Sequence, residues 1–384
     1  VDPEMLGKVF ENLLEVKDRK SKGTYYTPRE IVHYMCQESL ANYLATELGN
    51  KVSKEEIETL IKYGESVVEH DSRVVNEGRE TKAYSFKLPQ SVRKHAKVLD
   101  EKLASIRVCD PAVGSGAFPV GMMNEVIRTR NALTPYIGKD GDRTAYNFKR
   151  HAIQNCLYGV DIDQGAVEIA KLRLWLSLIV DEEERKTIQP LPNLDYKIVQ
   201  GNSLSSVQKN LFNQVLFTKL EELKPLYFNE TSAKRKQEYK EQIDKLIGQI
   251  TNGHKDFDFE IYFSEVFHEK KGFDVMIANP PYDVYEGHRR GEIEEIRRYP
   301  IYEKATGGKL NTYKLFLAKS LELQKPEGVL CEIFQNSFLA DNSASKIRKH
   351  FLEKQIIFGI DSFPERDNIY LRVFENVKMS VCIL

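Results

Sequence analysis

The chain has 384 residues, 41% of them hydrophobic and 29% charged, which supplies apolar material for a sizeable core and excludes a disordered polyelectrolyte. Its 56 lysines and arginines nearly balance 57 aspartates and glutamates, so a polyanionic partner must be met by a local basic surface rather than by the whole molecule. The length accommodates two or three domains, or one large domain with insertions.

The five cysteines, Cys36, Cys109, Cys156, Cys331 and Cys382, are odd in number and show no paired C-x-x-C spacing. They point to a reducing compartment without a structural zinc. No apolar run approaches the roughly 18 residues of a membrane span, and the opening VDPEML lacks a basic-then-apolar leader. A cytoplasmic protein with no membrane partner is expected. A chain that begins without methionine and stops inside VKMSVCIL is expected to be a fragment of a longer one.

Residues 1–105 are expected to form an N-terminal helical region. Apolar spacing in MLGKVFENLL predicts one helix, and Thr27-Pro28 predicts the start of a second, with Thr27 as cap and Pro28 in the first turn. Residues 50–105 are charged, mostly helical in pattern, and expected to serve packing and connection. Asp71, Glu80 and Lys82 have the loose spacing of a nuclease carboxylate set, but their flanks are too polar for core strands and no metal site is expected.

From residue 106 to 384 short apolar runs alternate with helical stretches, the form of a parallel α/β sheet. Seven strands are predicted: 106–109, 157–161, 196–199, 273–278, 329–334, 356–361 and 378–384. The last two are separated by 16 residues without helical pattern, so the final strand is expected to return antiparallel. A helical insertion is expected over 205–270, with helices around Pro225 and a charge-laced, solvated helix in AKRKQEYKEQIDKLIGQI.

Four clusters each follow a predicted strand, and the carboxyl ends of such strands line the ligand crevice. The first is DPAVGSGAF, in which Gly114 and Gly116 permit a tight turn and close approach of backbone to ligand. A dinucleotide loop would need glycine where Pro119 stands, and no Walker lysine follows. Asp110 is placed to meet a positive group such as an amino acid's ammonium. Asp161 can accept hydrogen bonds from ribose hydroxyls; Asp163 competes for that role, and either carboxylate can instead cap the next helix. Asn202, in GNSL, either hydrogen-bonds an adenine edge or forms a turn.

The fourth cluster, NPPY at 279–282, is the most informative. Two prolines after a buried strand give a backbone without donors, leaving the Asn279 side-chain oxygen and the Pro280 carbonyl as acceptors. Two acceptors aimed at one amino group make it nucleophilic without a strong base. Tyr282 offers a flat face for a planar substrate such as an extruded base. The following YEGHRRGEIEEIRRYP carries Arg289, Arg290, Arg297 and Arg298; it reads equally as a phosphate-contacting loop and as a solvated helix.

Together DPAVGSGAF, GVDID, NPPY and the upstream KGTYYTP resemble the S-adenosylmethionine-dependent DNA methyltransferases that modify the exocyclic amino group of adenine, in the gamma order. The opening LGKVFENLL joined to KGTYYTPREIV is similar to single-chain, type IIG-like restriction-modification enzymes and to phage-defence methylases. The resemblance implies a Rossmann-like class I methyltransferase core, S-adenosylmethionine as cofactor with no metal for the transfer, and double-stranded DNA as partner, with a target-recognition domain after residue 384 and further domains or subunits. It implies that Tyr26 and Thr27 belong to the cofactor motif, Thr27 holding the methionine carboxylate. Asp110, Pro111, Ala112, Gly114 and Gly116 would wrap the methionine, Asp161 and Ile162 the ribose side, and Asn202 the cofactor adenine, where such enzymes commonly have Asp. Phe316 would pack on that adenine or serve as core. Asn279, Pro280, Pro281 and Tyr282 would hold the target base, with Phe374 as the second aromatic of its sandwich. An RNA or protein-glutamine methyltransferase using the same NPPY device, and a non-catalytic DNA-binding adaptor, are the competing readings.

Overall fold

A computed structural model describes residues 27–79, 87–138, 142–179, 193–207, 211–230, 232–251, 253, 257–285, 290–368, 370, 372–374 and 378–384. Tyr25, Tyr26, Glu80, Lys82, Arg289 and the first expected helix lie outside these residues.

Helix α1 (Arg29–Leu48) begins one residue later than expected. Pro28, not Thr27, stands at its N-cap, and the Thr27 hydroxyl makes no capping bond because it faces Asn279 instead. Helix α2 (Lys54–Asn76) starts at a capping box in which Ser53 and Glu56 satisfy each other's backbone N–H groups. Helix α3 (Ala96–Ser105) leads into β1 (Val108–Asp110). Then follow α4 (Ala117–Ile137), α5 (Ala145–Asn155), β2 (Leu157–Asp161), α6 (Gln164–Ile179) and β3 (Ile198–Gln200).

The insertion forms α7 (Leu211–Asn229), with Pro225 inside it, and α8 (Ala233–Ile250). After it come β4 (Phe273–Ala278), the short pair β5 (Val284–Tyr285) and β6 (Leu310–Asn311), α9 (Thr312–Leu323), β7 (Gln324–Gln335), α10 (Ser345–Lys354), β8 (Asp361–Phe363) and β9 (Val381–Ile383).

One seven-stranded sheet runs in the order β3-β2-β1-β4-β7-β9-β8. β1 to β4 and β7 pair in parallel, while β9 lies antiparallel between β7 and β8, so the last strand is the reversed one. Alternate side chains enter opposite layers. Val108, Val275 and Ile277 join α1 and α4 in the main core, and Cys109, Tyr158 and Met276 meet Phe257, Phe259 and Phe263 on the other face. The described part of the N-terminal region therefore shares its core with the sheet. The expected strand over 356–361 is shifted: regular pairing covers Asp361–Phe363, while Ile356 and Phe358 are 82% and 56% exposed. β8 is the sheet edge and pairs only with three residues of β9, so the apolar run before it has no ladder to join. Among the described residues no helix is long and apolar enough to cross a membrane.

Candidate active site

The carboxyl ends of β1 to β4 bring the four sequence clusters to one edge of the sheet. After β1, Asp110 turns back to accept the Ala112 N–H through Oδ1 at 2.9 Å, forming the turn that contains Pro111. Gly114 and Gly116 both have positive φ, +49° and +84°. A Cβ on Gly116 would sit 2.9 Å from Ala170 on α6, so only glycine lets the two helices close. At Gly114 the nearest atom to a Cβ would be the Ala112 carbonyl at 4.0 Å, leaving open space above the loop.

Three contacts tie this loop to its neighbours. The Gly114 N–H donates to Asp161 Oδ2 at 2.8 Å, Val113 N–H to Val160 O at 2.9 Å, and the Ser203 hydroxyl, from the turn after β3, to Pro111 O at 2.6 Å. Beneath it the buried Arg173 guanidinium donates to Ser115 O at 2.9 Å.

The two aspartates after β2 separate by geometry. Asp163 accepts the N–H groups of Gly165 (2.8 Å) and Ala166 (3.2 Å) and so caps α6. Asp161, at the carboxyl end of β2, accepts one backbone N–H on each oxygen, from Asp163 and Gly114. Ile162 beside it is 69% exposed and presents an apolar surface. Asn202 is exposed, and its Oδ1 accepts the Leu204 N–H at 3.1 Å, which makes it a turn-forming asparagine in this state. Phe316 is buried on α9 in the main core.

These residues suit S-adenosylmethionine as a donor set: carboxylates for an ammonium and a pair of ribose hydroxyls, a side-chain-free backbone at Gly114, and apolar surface at Ile162. Burial pushes the Asp110 carboxyl well above the usual carboxylate range, nearby Asp161 and Glu332 adding to the effect and the Ala112 N–H opposing it. A cation brought against it would reverse that shift.

At the end of fully buried β4, Asn279 uses both ends of its amide. Nδ2 donates to Thr27 Oγ1 at 3.0 Å, and Oδ1 accepts the Tyr282 hydroxyl at 2.6 Å. Ile333 O, on β7, also lies 3.2 Å from that hydroxyl. The Tyr282 and Phe374 rings are both buried and meet edge-to-face, 6.3 Å between centroids and 62° between planes. Parallel rings around a base would stand about 7 Å apart, twice the roughly 3.5 Å contact distance of stacked carbons. The structure brings the two aromatics together without an open slot between them. Downstream, Tyr299 and the turn Pro300–Ala305 dock on the loop after β3, where the Tyr302 hydroxyl donates to Leu204 O (2.7 Å) and that of Tyr299 to Ser206 O (3.1 Å).

Sequence reasoning missed Ser203, Arg173 and the two tyrosines. Arg173 carried a signal, as a lone arginine inside the apolar run KLRLWLSLI; the others look like ordinary surface polar residues.

The strand order, with a reversed last strand placed between the fifth and sixth in sequence, is that of the class I methyltransferases. More particularly, the chain belongs to the Eco57I restriction-modification methylase family, whose signature matches residues 155–370. A putative type II restriction enzyme and methyltransferase of Methanocaldococcus jannaschii is 26% identical across the whole of this chain, which spans 37% of that protein. A type II restriction enzyme and methyltransferase of Escherichia coli is 24% identical over 74% of this chain and 25% of its own length. The chain thus spans little more than a third, or less, of these relatives. Among solved structures, the cryo-EM structure of the DrdV–DNA complex covers all of this chain and 28% of its own, with a TM-score of 0.51 at 13% identity, a likeness of fold.

Proposed function

We propose that this chain is the catalytic part of a restriction-modification enzyme that transfers a methyl group from S-adenosylmethionine to the exocyclic amino group of an adenine flipped out of double-stranded DNA. The carrying observation is the Asn279 amide, held at the end of β4, the strand paired in parallel with β1, which leads into the Gly114 loop, with its oxygen on the Tyr282 side. DNA as substrate accords with the family and with relatives that are type II restriction enzymes and methyltransferases.

S-adenosylmethionine supplies a methyl on a sulfonium that leaves as a neutral thioether, so no Lewis acid is needed to activate it. The chain's residues do the rest by positioning. Asp110 meets the ammonium, Asp161 and Ile162 the ribose side, and Asn202 and Phe316 the adenine of the cofactor, with Pro111, Ala112, Gly114 and Gly116 shaping the cradle. Thr27 would hold the methionine carboxylate, and Tyr26 belongs to the same cofactor motif. Asn279 Oδ1 and the Pro280 carbonyl accept from the target amino group and turn its lone pair toward the methyl carbon; Pro281 keeps the backbone there free of donors. With S-adenosylmethionine bound, the nitrogen–carbon bond would form as the carbon–sulfur bond breaks, its electrons staying on sulfur, and the amine would pass its proton to water. Tyr282 and Phe374 stack the base once they part.

In domain terms, residues 1–105 carry the cofactor motif, 106–384 the catalytic core and 205–270 an insertion. The reading is tested by incubating the protein with labelled S-adenosylmethionine and, separately, unmethylated DNA and RNA, then digesting to nucleosides. N6-methyladenosine from the RNA arm alone would replace DNA with RNA as substrate, and N6-methyldeoxyadenosine from the DNA arm is the expected product.

A further inference from the structure

The link between Thr27 and Asn279 joins residues 252 positions apart, and in it the amide gives its donor end to the Thr27 hydroxyl. The contact to Tyr282 is 2.6 Å, a normal O–H···O length and too short for an ordinary N–H···O bond; the contact to Thr27 is 3.0 Å, the usual N–H···O length. Oδ1 therefore faces the Tyr282 side and Nδ2 faces Thr27. Reversed, the amide would present N–H groups toward a target amino group that also donates, and the hydrogen bond that prepares the nucleophile would become a repulsion.

Resting on the functional reading above, we propose that Thr27 is a positioning residue for methyl transfer: the hydroxyl of this buried residue, 5% exposed as a whole, accepts the Asn279 Nδ2–H and holds the amide with its oxygen toward the target amine. This is separate from any contact Thr27 makes with cofactor. It also joins the two halves of the site, because Thr27 precedes α1, which packs on β4 and β7, while Asn279 ends β4.

The test is the single-turnover rate of adenine methylation at saturating cofactor and DNA, with cofactor affinity measured alongside. Thr27→Val keeps the shape and removes the acceptor; it is expected to slow transfer roughly tenfold or more, and Thr27→Ser to restore the rate to within about threefold. A residue that only held cofactor would lose affinity and recover its full rate at saturation. In an Asn279→Asp background both side-chain oxygens accept, no reversal exists, and Thr27→Val is expected to cost less than about twofold. A Thr27→Val rate equal to wild type at saturation, or a Thr27→Ser rate as low as that of Thr27→Val, overturns the assignment. Wild-type protein that methylates no adenine overturns instead the functional reading on which it rests.

Discussion

At the residue scale the site depends on small groups with few alternatives. On the proposed mechanism Tyr282 makes two separable contributions, a ring that stacks the target base and a hydroxyl that donates to Asn279 at 2.6 Å. Tyr282→Phe keeps the first and loses the second, so transfer is expected to fall severalfold with base extrusion unchanged; Tyr282→Ala loses both. Fluorescence of 2-aminopurine at the target position, read beside the transfer rate, separates them, and a Phe variant with wild-type rate would show that the hydroxyl does no work.

Glu332 on β7 is a second buried group near the site. It is fully buried, accepts the Ser320 hydroxyl, and burial raises its carboxyl from about 4.5 to about 8 despite that hydrogen bond. Between those values the folded chain holds a proton that the unfolded chain has lost, so this group's contribution makes stability fall as pH rises through that window. Glu332→Gln, neutral throughout, should lose less stability than wild type between pH 5 and pH 9 in urea melts. Parallel pH dependences would contradict the assignment.

At the element scale the 205–270 insertion is attached by charge as well as by its own small core of Leu220, Tyr227, Ile243, Ile247 and Ile250. Glu265 receives Lys197 Nζ at 3.0 Å and Lys224 Nζ at 3.3 Å. Burial alone would raise Glu265, but Lys224 and Lys197 outweigh it and hold the carboxyl at about 2. Glu265→Ala leaves two buried ammonium groups facing each other and is expected to cost about 3–5 kcal/mol in urea unfolding. A cost below about 1 kcal/mol, the range of exposed pairs, would show that the cluster is solvated. The charged face of α8 was legible in the sequence as a solvated surface, and Ile243, Ile247 and Ile250 on its inner side follow helical spacing. That Lys224 on α7 is buried against Glu265 and the Ile261 carbonyl, with Glu265 in turn holding Lys197 beside β3, was not, because a lysine in a helical pattern looks exposed until its partner is known.

For the whole molecule, the alternation of strands and helices, the reversed last strand and the convergence of DPAVGSGAF, GVDID, GNSL and NPPY at one sheet edge were legible, because strand order and connection handedness leave few arrangements. The edge strand was misjudged: apolarity in 356–360 resembles a strand, yet pairing depends on a neighbour only three residues long. The choice between Asp161 and Asp163 needed coordinates, since both precede a helix and only one turns its oxygen onto that helix's N–H groups. The Thr27–Asn279 bond was equally hidden, since local rules give a threonine before proline a capping role and say nothing of a partner in a distant strand.

The central claim is that Asn279 prepares the nucleophile while the β1 and β2 loops hold the cofactor. The most direct measurement is methyl transfer to DNA by Asn279→Ala, read beside its S-adenosylmethionine affinity by titration calorimetry. Transfer is expected to fall by a factor of a hundred or more, roughly 3 kcal/mol of barrier, with cofactor affinity within about threefold of wild type. Transfer retained near the wild-type rate, or cofactor binding lost along with it, would contradict it.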